Sequence, residues 1–250
     1  PPKFQRRRGP ASSVRIFSNK HRQCFPPMLL LFFLNSPVIG LLPAIFFSLL
    51  FVFGVYSYMR RGPEENSDLY KNSKKGIKLA IIFYIFYAAL STFGQYYAWS
   101  GSAFSRILLN SPLEEKVPIP QFIKELPILD NHGYFVFYSY GRYWLNPLIA
   151  VGIAFLFYLF LKSLRRHRAR FFEEGETELG FLSALIVGWP EFVIFVPLAF
   201  LFVILISLAR LIILNERYTT LGYPFLAASL ISLVFGARLI SLLNLSVLYI

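Results

Sequence analysis

The stretch from Phe192 to Leu214 reads FVIFVPLAFLFVILISLARLIIL, 23 residues with one ionisable side chain, Arg210. As a helix it is about 35 Å long, enough to cross the roughly 30 Å hydrocarbon core of a bilayer. A helix apolar on every side needs a surrounding core that 250 residues do not supply. Two further runs, Ile77 to Trp99 and Trp144 to Leu161, read the same way. The chain is therefore predicted to be all-α, a polytopic helical integral membrane protein with about five or six membrane segments. Its composition agrees: 56% hydrophobic and 18% aromatic against only 15% charged.

A formal charge of +12 would suggest nucleic acid in a soluble protein. Here the basic residues lie in short segments flanking the apolar runs, which is how loops orient a membrane protein. The expected partners are the lipid bilayer and another membrane protein, with no nucleic acid. A single cysteine, Cys24, excludes an internal disulfide and a cysteine-clustered metal site. His21, His132 and His167 are too scattered for a zinc motif, and no Gly-x-Ser-x-Gly or His-Glu-x-x-His occurs. No metal and no cofactor is expected.

Four regions follow along the chain. Residues 1–25 form a basic tail with Lys3, Arg6, Arg7, Arg8, Arg15, Lys20 and Arg22 and no acid, suited to anionic head groups or to a transit-like arm. Residues 26–99 hold a long apolar stretch, Pro26 to Met59, interrupted at Asn35-Ser36-Pro37, Gly40 and Pro43, and then a spanning helix. The stretch is about 50 Å if helical, too long for one straight span, so a bend is expected there, as a single crossing or as a helical hairpin, which the distribution of basic residues favours. With the hairpin, the tail, residues Arg60 to Lys78, Lys162 to Arg170, Arg210 and Arg217 fall on one side. That places 20 of the 25 basic residues inside and leaves Arg106, Lys116, Lys124 and Arg142 outside, the usual bias of cytoplasmic loops.

Residues 100–143 are expected to be an outer loop rich in proline and aromatics. Its end, Tyr134 to Trp144, has seven aromatics in eleven residues. Amphipathic rings gather at a membrane interface without any ligand; the sharper expectation is a groove for peptide or lipid formed by Tyr134, Phe137, Tyr138, Tyr140, Tyr143 and Trp144. The turn-forming run Asp130-Asn131-His132-Gly133 precedes it. Residues 144–250 are a C-terminal helical bundle. Its last segment, Leu221 to Ile250, is expected to break at Gly236-Ala237-Arg238 and continue as an amphipathic piece near the surface.

The one cluster suited to chemistry is Glu173-Glu174-Gly175-Glu176-Thr177-Glu178. Glutamates in a first turn are favoured by the helix dipole and by the preceding arginines, while Glu178, if buried, is a candidate catalytic carboxylate. The run Gly175-Glu176-Thr177-Glu178, followed by Leu182 to Pro190 with its Gly188-Trp189, resembles the type IV prepilin peptidases, in which Gly-x-Gly-Asp opens a helix ending in Gly-Trp. Pro224-Phe225-Leu226-Ala227 and Phe235-Gly236 are similar to further segments of that family. The likeness covers residues 163–236. In that family two aspartates activate water to cleave pilin leader peptides; here Glu178 and Thr177 replace the motif aspartate and its glycine, and no aspartate precedes the helix at 144.

The resemblance therefore implies a relative without peptidase activity. The leading functional expectation is a non-catalytic membrane scaffold or assembly partner of pilus or secretion machinery, in a bacterial inner membrane. The alternatives are a divergent prepilin-peptidase-like enzyme using Glu178, and an accessory subunit of a complex in an organellar inner membrane.

Overall fold

Apolar length sets the helices. The computed structural model describes residues 37–60, 66–113, 127–167, 172–215 and 220–249. In chain order its helices are α1 (Pro37–Met59), α2 (Asn66–Gly101), α3 (Ala103–Leu109), α4 (Pro127–Ser139), α5 (Leu145–His167), α6 (Glu176–Val187), α7 (Phe192–Leu214) and α8 (Gly222–Leu242). A π-helical turn, Tyr140–Trp144, joins α4 to α5 without interrupting the rod. Five stretches, Gly40–Met59, Leu69–Gly101, His132–His167, Phe192–Ile213 and Gly222–Leu242, are long and apolar enough to cross a membrane. The chain is a polytopic helical membrane protein. Outward-facing side chains such as Leu49, Ile82, Leu156, Ile204 and Ile212 are exposed apolar residues on these helices, which in a bilayer face lipid.

Three expectations change. The bend expected at Gly40 and Pro43 does not occur: both lie inside α1, one continuous helix. Pro43 is in the second turn of α1, where its missing N–H leaves the carbonyl of Ile39 without that intrahelical bond while the helix continues. The other arm of the expected hairpin, residues 26–36, lies outside the described residues, as does the basic tail. The break expected at Gly236 is also absent, since α8 runs through it to Leu242. A Cβ at Gly236 would lie 2.7 Å from Cγ of Glu191, so this glycine permits a close approach and does not end the helix. Finally, much of the described outer segment is helical, as α3 and α4, with Pro127 at a first helical position where a proline is tolerated.

The centre of the bundle is α6, a helix of 12 residues, about 18 Å and too short to cross. It is wedged between α2, α5 and α8 and all but one of its residues are buried, the exception being Phe181. Leu182 fits where α1 and α2 have no side chain: Gly54 and Gly76 both face it. Phe157 meets Phe192, Phe195 and Phe225 edge to face in the neighbouring core, a geometry that aromatic quadrupoles favour.

α6 stops at Gly188, whose φ of 70° suits only glycine. There Tyr84, midway along α2, donates its hydroxyl to the carbonyl of Leu185 at 2.8 Å. A broken helix at membrane depth is tolerated where protein, not lipid, surrounds the freed backbone.

One end of the bundle gathers Tyr58, Glu176 and Thr220, and the other gathers Trp99, Leu109 and Tyr134. In a Cys24→Ser background, single cysteines at Arg60, Glu174 and Asn215 should label from one side of the membrane, and those at Ser102 and Tyr140 from the opposite side. Labelling of positions 60 and 102 from the same side would contradict the arrangement.

Candidate functional site

The first backbone N–H groups of any helix lack an intrahelical acceptor. At the start of α8 these groups are met by a carboxylate from another helix. Glu176, the first residue of α6 and fully buried, accepts from the Gly222 N–H through Oε1 at 2.9 Å and from the Leu221 N–H through Oε2 at 3.2 Å. Its Oε2 also accepts from the Glu173 N–H at 3.1 Å, reaching back three residues as in a capping box. The Tyr58 hydroxyl of α1 lies 3.4 Å from Oε1 and 3.3 Å from Oγ1 of Thr220.

Burial pushes this carboxyl above the ordinary carboxylate range, while the amides of Glu173, Gly222 and Leu221 act in the opposite direction. The negative charge at the α8 N-terminus also complements the helix dipole. Two glycines make the approach possible. A Cβ at Gly222 would enter the Tyr58 ring, and Gly175, with φ of 86°, packs its backbone against Leu69 and Tyr70.

Glu178 points elsewhere. It is buried, its Oε2 has no hydrogen-bond partner, and Lys74 of α2 and Tyr158 of α5 lie within its electrostatic reach. Burial, the condition on which Glu178 is a candidate carboxylate, is met. Three more buried oxygens without partners occur at this end, in Thr177 beside it, Ser57 on α1 and Ser73 on α2. Ser57 is one turn from Gly54 and Ser73 one turn from Gly76, the two positions that face Leu182, so both hydroxyls stand on the helix faces turned to α6. These hydroxyls and one carboxylate are suited to hydrogen bonding. Proton sharing between two acids needs a second free carboxylate, and Glu176 is engaged by amides. Among the described residues no group of three His, Cys, Asp or Glu is placed to hold a metal.

The aromatic residues expected to form one binding surface divide into two sets. Tyr143 donates to Oε1 of Gln95 at 2.7 Å and Trp144 donates to Oγ1 of Thr92 at 3.1 Å, both on α2. Tyr138 lies 5.0 Å from the Trp99 ring, and Tyr134 stacks on that ring at 6.2 Å. Phe137 and Tyr140 are exposed. The ring of His132 is held by the Leu109 carbonyl at 2.8 Å; the side chains of Asp130 and Asn131 lie outside the described residues.

Sequence reasoning passed over Glu176 in favour of Glu178. The signal for it is the pairing of Gly175-Glu176 with Gly222-x-Pro224, a helix start without its own capping side chain and an acid flanked by glycine. Glu191 was likewise passed over: it accepts from the Tyr249 hydroxyl at 3.2 Å and fills the gap over Gly236.

Comparison with protein-family models, with curated proteins and with solved structures gave no match.

Substitution separates the two glutamates. Glu176→Gln turns an amide NH2 toward backbone N–H donors and should lower stability by about 1–3 kcal/mol; Glu178→Gln should change it by less than about 1 kcal/mol. Gly222→Ala should destabilise by about 1–3 kcal/mol through overpacking against Tyr58. Unfolding of the three variants in a single detergent tests this, and equal effects at Glu176 and Glu178 would contradict it.

Proposed function

We propose that the chain is a non-catalytic integral membrane scaffold or assembly partner of pilus or secretion machinery in a bacterial inner membrane. The observation that carries this reading is the divergence of the two buried glutamates. Residues two apart on a helix do not face each other, and here Glu176 is spent on the amides of α8 while Oε2 of the buried Glu178 has no hydrogen-bond partner. The water-activating pair of a two-carboxylate peptidase needs acids close enough to share one proton. Residues 163–236, with their likeness to prepilin peptidases, keep that family's helix-opening and Gly-Trp pattern without its aspartates, which suits a relative that kept the frame and lost the chemistry. The end carrying Arg60, Lys71 to Lys78 and Lys162 to Arg166 is assigned to the cytoplasm by its charge.

A divergent enzyme is the second reading, favoured by the unpartnered Oε2 of the buried Glu178. Such a group is a candidate general base or acid.

Purification after mild detergent extraction should retain another membrane protein at fixed stoichiometry, with Glu178→Gln retaining the same partner. The wild-type protein should leave a pilin-like leader peptide uncut. Cleavage that falls by about two orders of magnitude or more in Glu178→Gln, with folding unchanged, would establish the second reading instead.

A further inference from the structure

α1 and α2 part on their membrane side to leave a groove of about 350 Å³. Its floor is the buried Leu50 and the half-buried Phe46, which stacks on Phe83 of α2 with ring centroids 3.8 Å apart. Its walls are Leu49, Phe53 and Leu79, all exposed. From Phe46 to Phe53 the groove follows about 10 Å of helix, which fits within one leaflet, about half of a 30 Å hydrocarbon core. An approaching helix is about 10 Å across with its side chains, too wide for this volume. A single hydrocarbon chain is not.

At the loop end of the groove stands one cation, Lys75, exposed on α2. Among the described residues no acidic one lines the groove. Lys71 lies one turn toward the loop on the same helix face and Lys78 one turn the other way, both exposed, and Arg60 ends α1 on the same side of the bundle. Flexible lysine stems let these ammonium groups reach the head-group layer while their methylenes lie along apolar surface. Basic pockets between membrane helices select anionic head groups, and the apolar channel leading from Lys75 supplies the place for the attached chain.

We propose that the α1–α2 groove binds an anionic phospholipid, its phosphate held at Lys75 and one acyl chain lying between Leu49 and Leu79. A zwitterionic lipid of the same chains makes the same apolar contacts but brings no net charge to the lysines. Selectivity therefore comes from Lys75, the cation in the lining, and retention from the channel.

The test uses the full chain, purified and exchanged into equal amounts of phosphatidylglycerol and phosphatidylcholine with identical acyl chains, with bound lipid counted by native mass spectrometry. Phosphatidylglycerol should be retained over phosphatidylcholine by about fivefold, the discrimination that one basic side chain contributes at an anionic surface. Lys75→Gln should abolish the preference, while Lys162→Gln, on a distant helix end, should keep it. Leu49→Trp should reduce retention of both lipids by filling the channel with the lysines intact. Both test positions are exposed, so folding is preserved, and circular dichroism checks it. A photoreactive benzoyl-phenylalanine at position 49, in vesicles of the same mixture, should cross-link to lipid. Equal retention of the two lipids by the wild-type chain, unchanged retention in Leu49→Trp, or cross-linking to a polypeptide would each overturn the proposal.

Discussion

The carboxylate of Glu176 is the constraint on which the rest of the bundle depends. A helix N-terminus inside a membrane protein presents N–H groups that water does not reach, and each left unpaired in a low-dielectric setting costs free energy comparable to a lost hydrogen bond. No side chain at Leu221 caps α8 locally. The cap comes instead from α6, so the start of α8 is fixed relative to α6 in both depth and rotation. Tyr58 extends the same knot to α1 and to Thr220. One carboxylate thus ties together helices far apart in the chain, in a place where the hydrophobic effect offers no such discrimination, because lipid tails are as apolar as leucine.

From that knot the packing propagates along α6. Small residues on the outer helices receive large ones on the inner: Gly54 and Gly76 receive Leu182, and Gly236 receives the stem of Glu191. Close packing of this kind replaces hydrophobic burial as the source of helix association in lipid. It also explains why α6 can be short. Its last carbonyls are accounted for by protein groups, Tyr84 bonding the Leu185 carbonyl and the Gly188 N–H bonding that of Ala184. The turn beyond is closed by the C-terminal residues, with Trp189 donating to the Leu248 carbonyl and Tyr249 to Glu191.

The spanning helices were legible in the sequence because lipid imposes a length and a polarity that single residues cannot disguise; Phe192 to Leu214 is helical over the range its composition marks. What was misread are the interruptions. Gly40, Pro43 and Gly236 look like breakers when counted by propensity. In a membrane a helix persists through such residues, since leaving the backbone unbonded costs more than the local preference saves. Gly236 in particular reads as a break until its neighbour Glu191, 45 positions earlier, is brought against it. The candidate site was half legible for the same reason: the acidic cluster was visible, but which glutamate is capped and which is left over depends on where Leu221 and Gly222 lie, a long-range fact that local spacing does not carry.

That long-range fact also bears on chemistry. Successive residues on a helix are turned by about 100°, so Glu176 and Glu178 leave α6 about 200° apart. To bring both into one site, the helix would have to unwind at its first turn, and Glu176 would have to release the backbone N–H groups of Glu173, Leu221 and Gly222. An acid–base dyad gains its effect from holding two like charges so close that one stays protonated. Here the two buried carboxylates differ, Glu176 joining helices through backbone N–H groups and Glu178 keeping an oxygen without a hydrogen-bond partner. The arrangement suits a protein whose acidic residues define which helices meet and at what depth, and a two-carboxylate site built on Glu178 needs its second acid from a facing helix and not from Glu176.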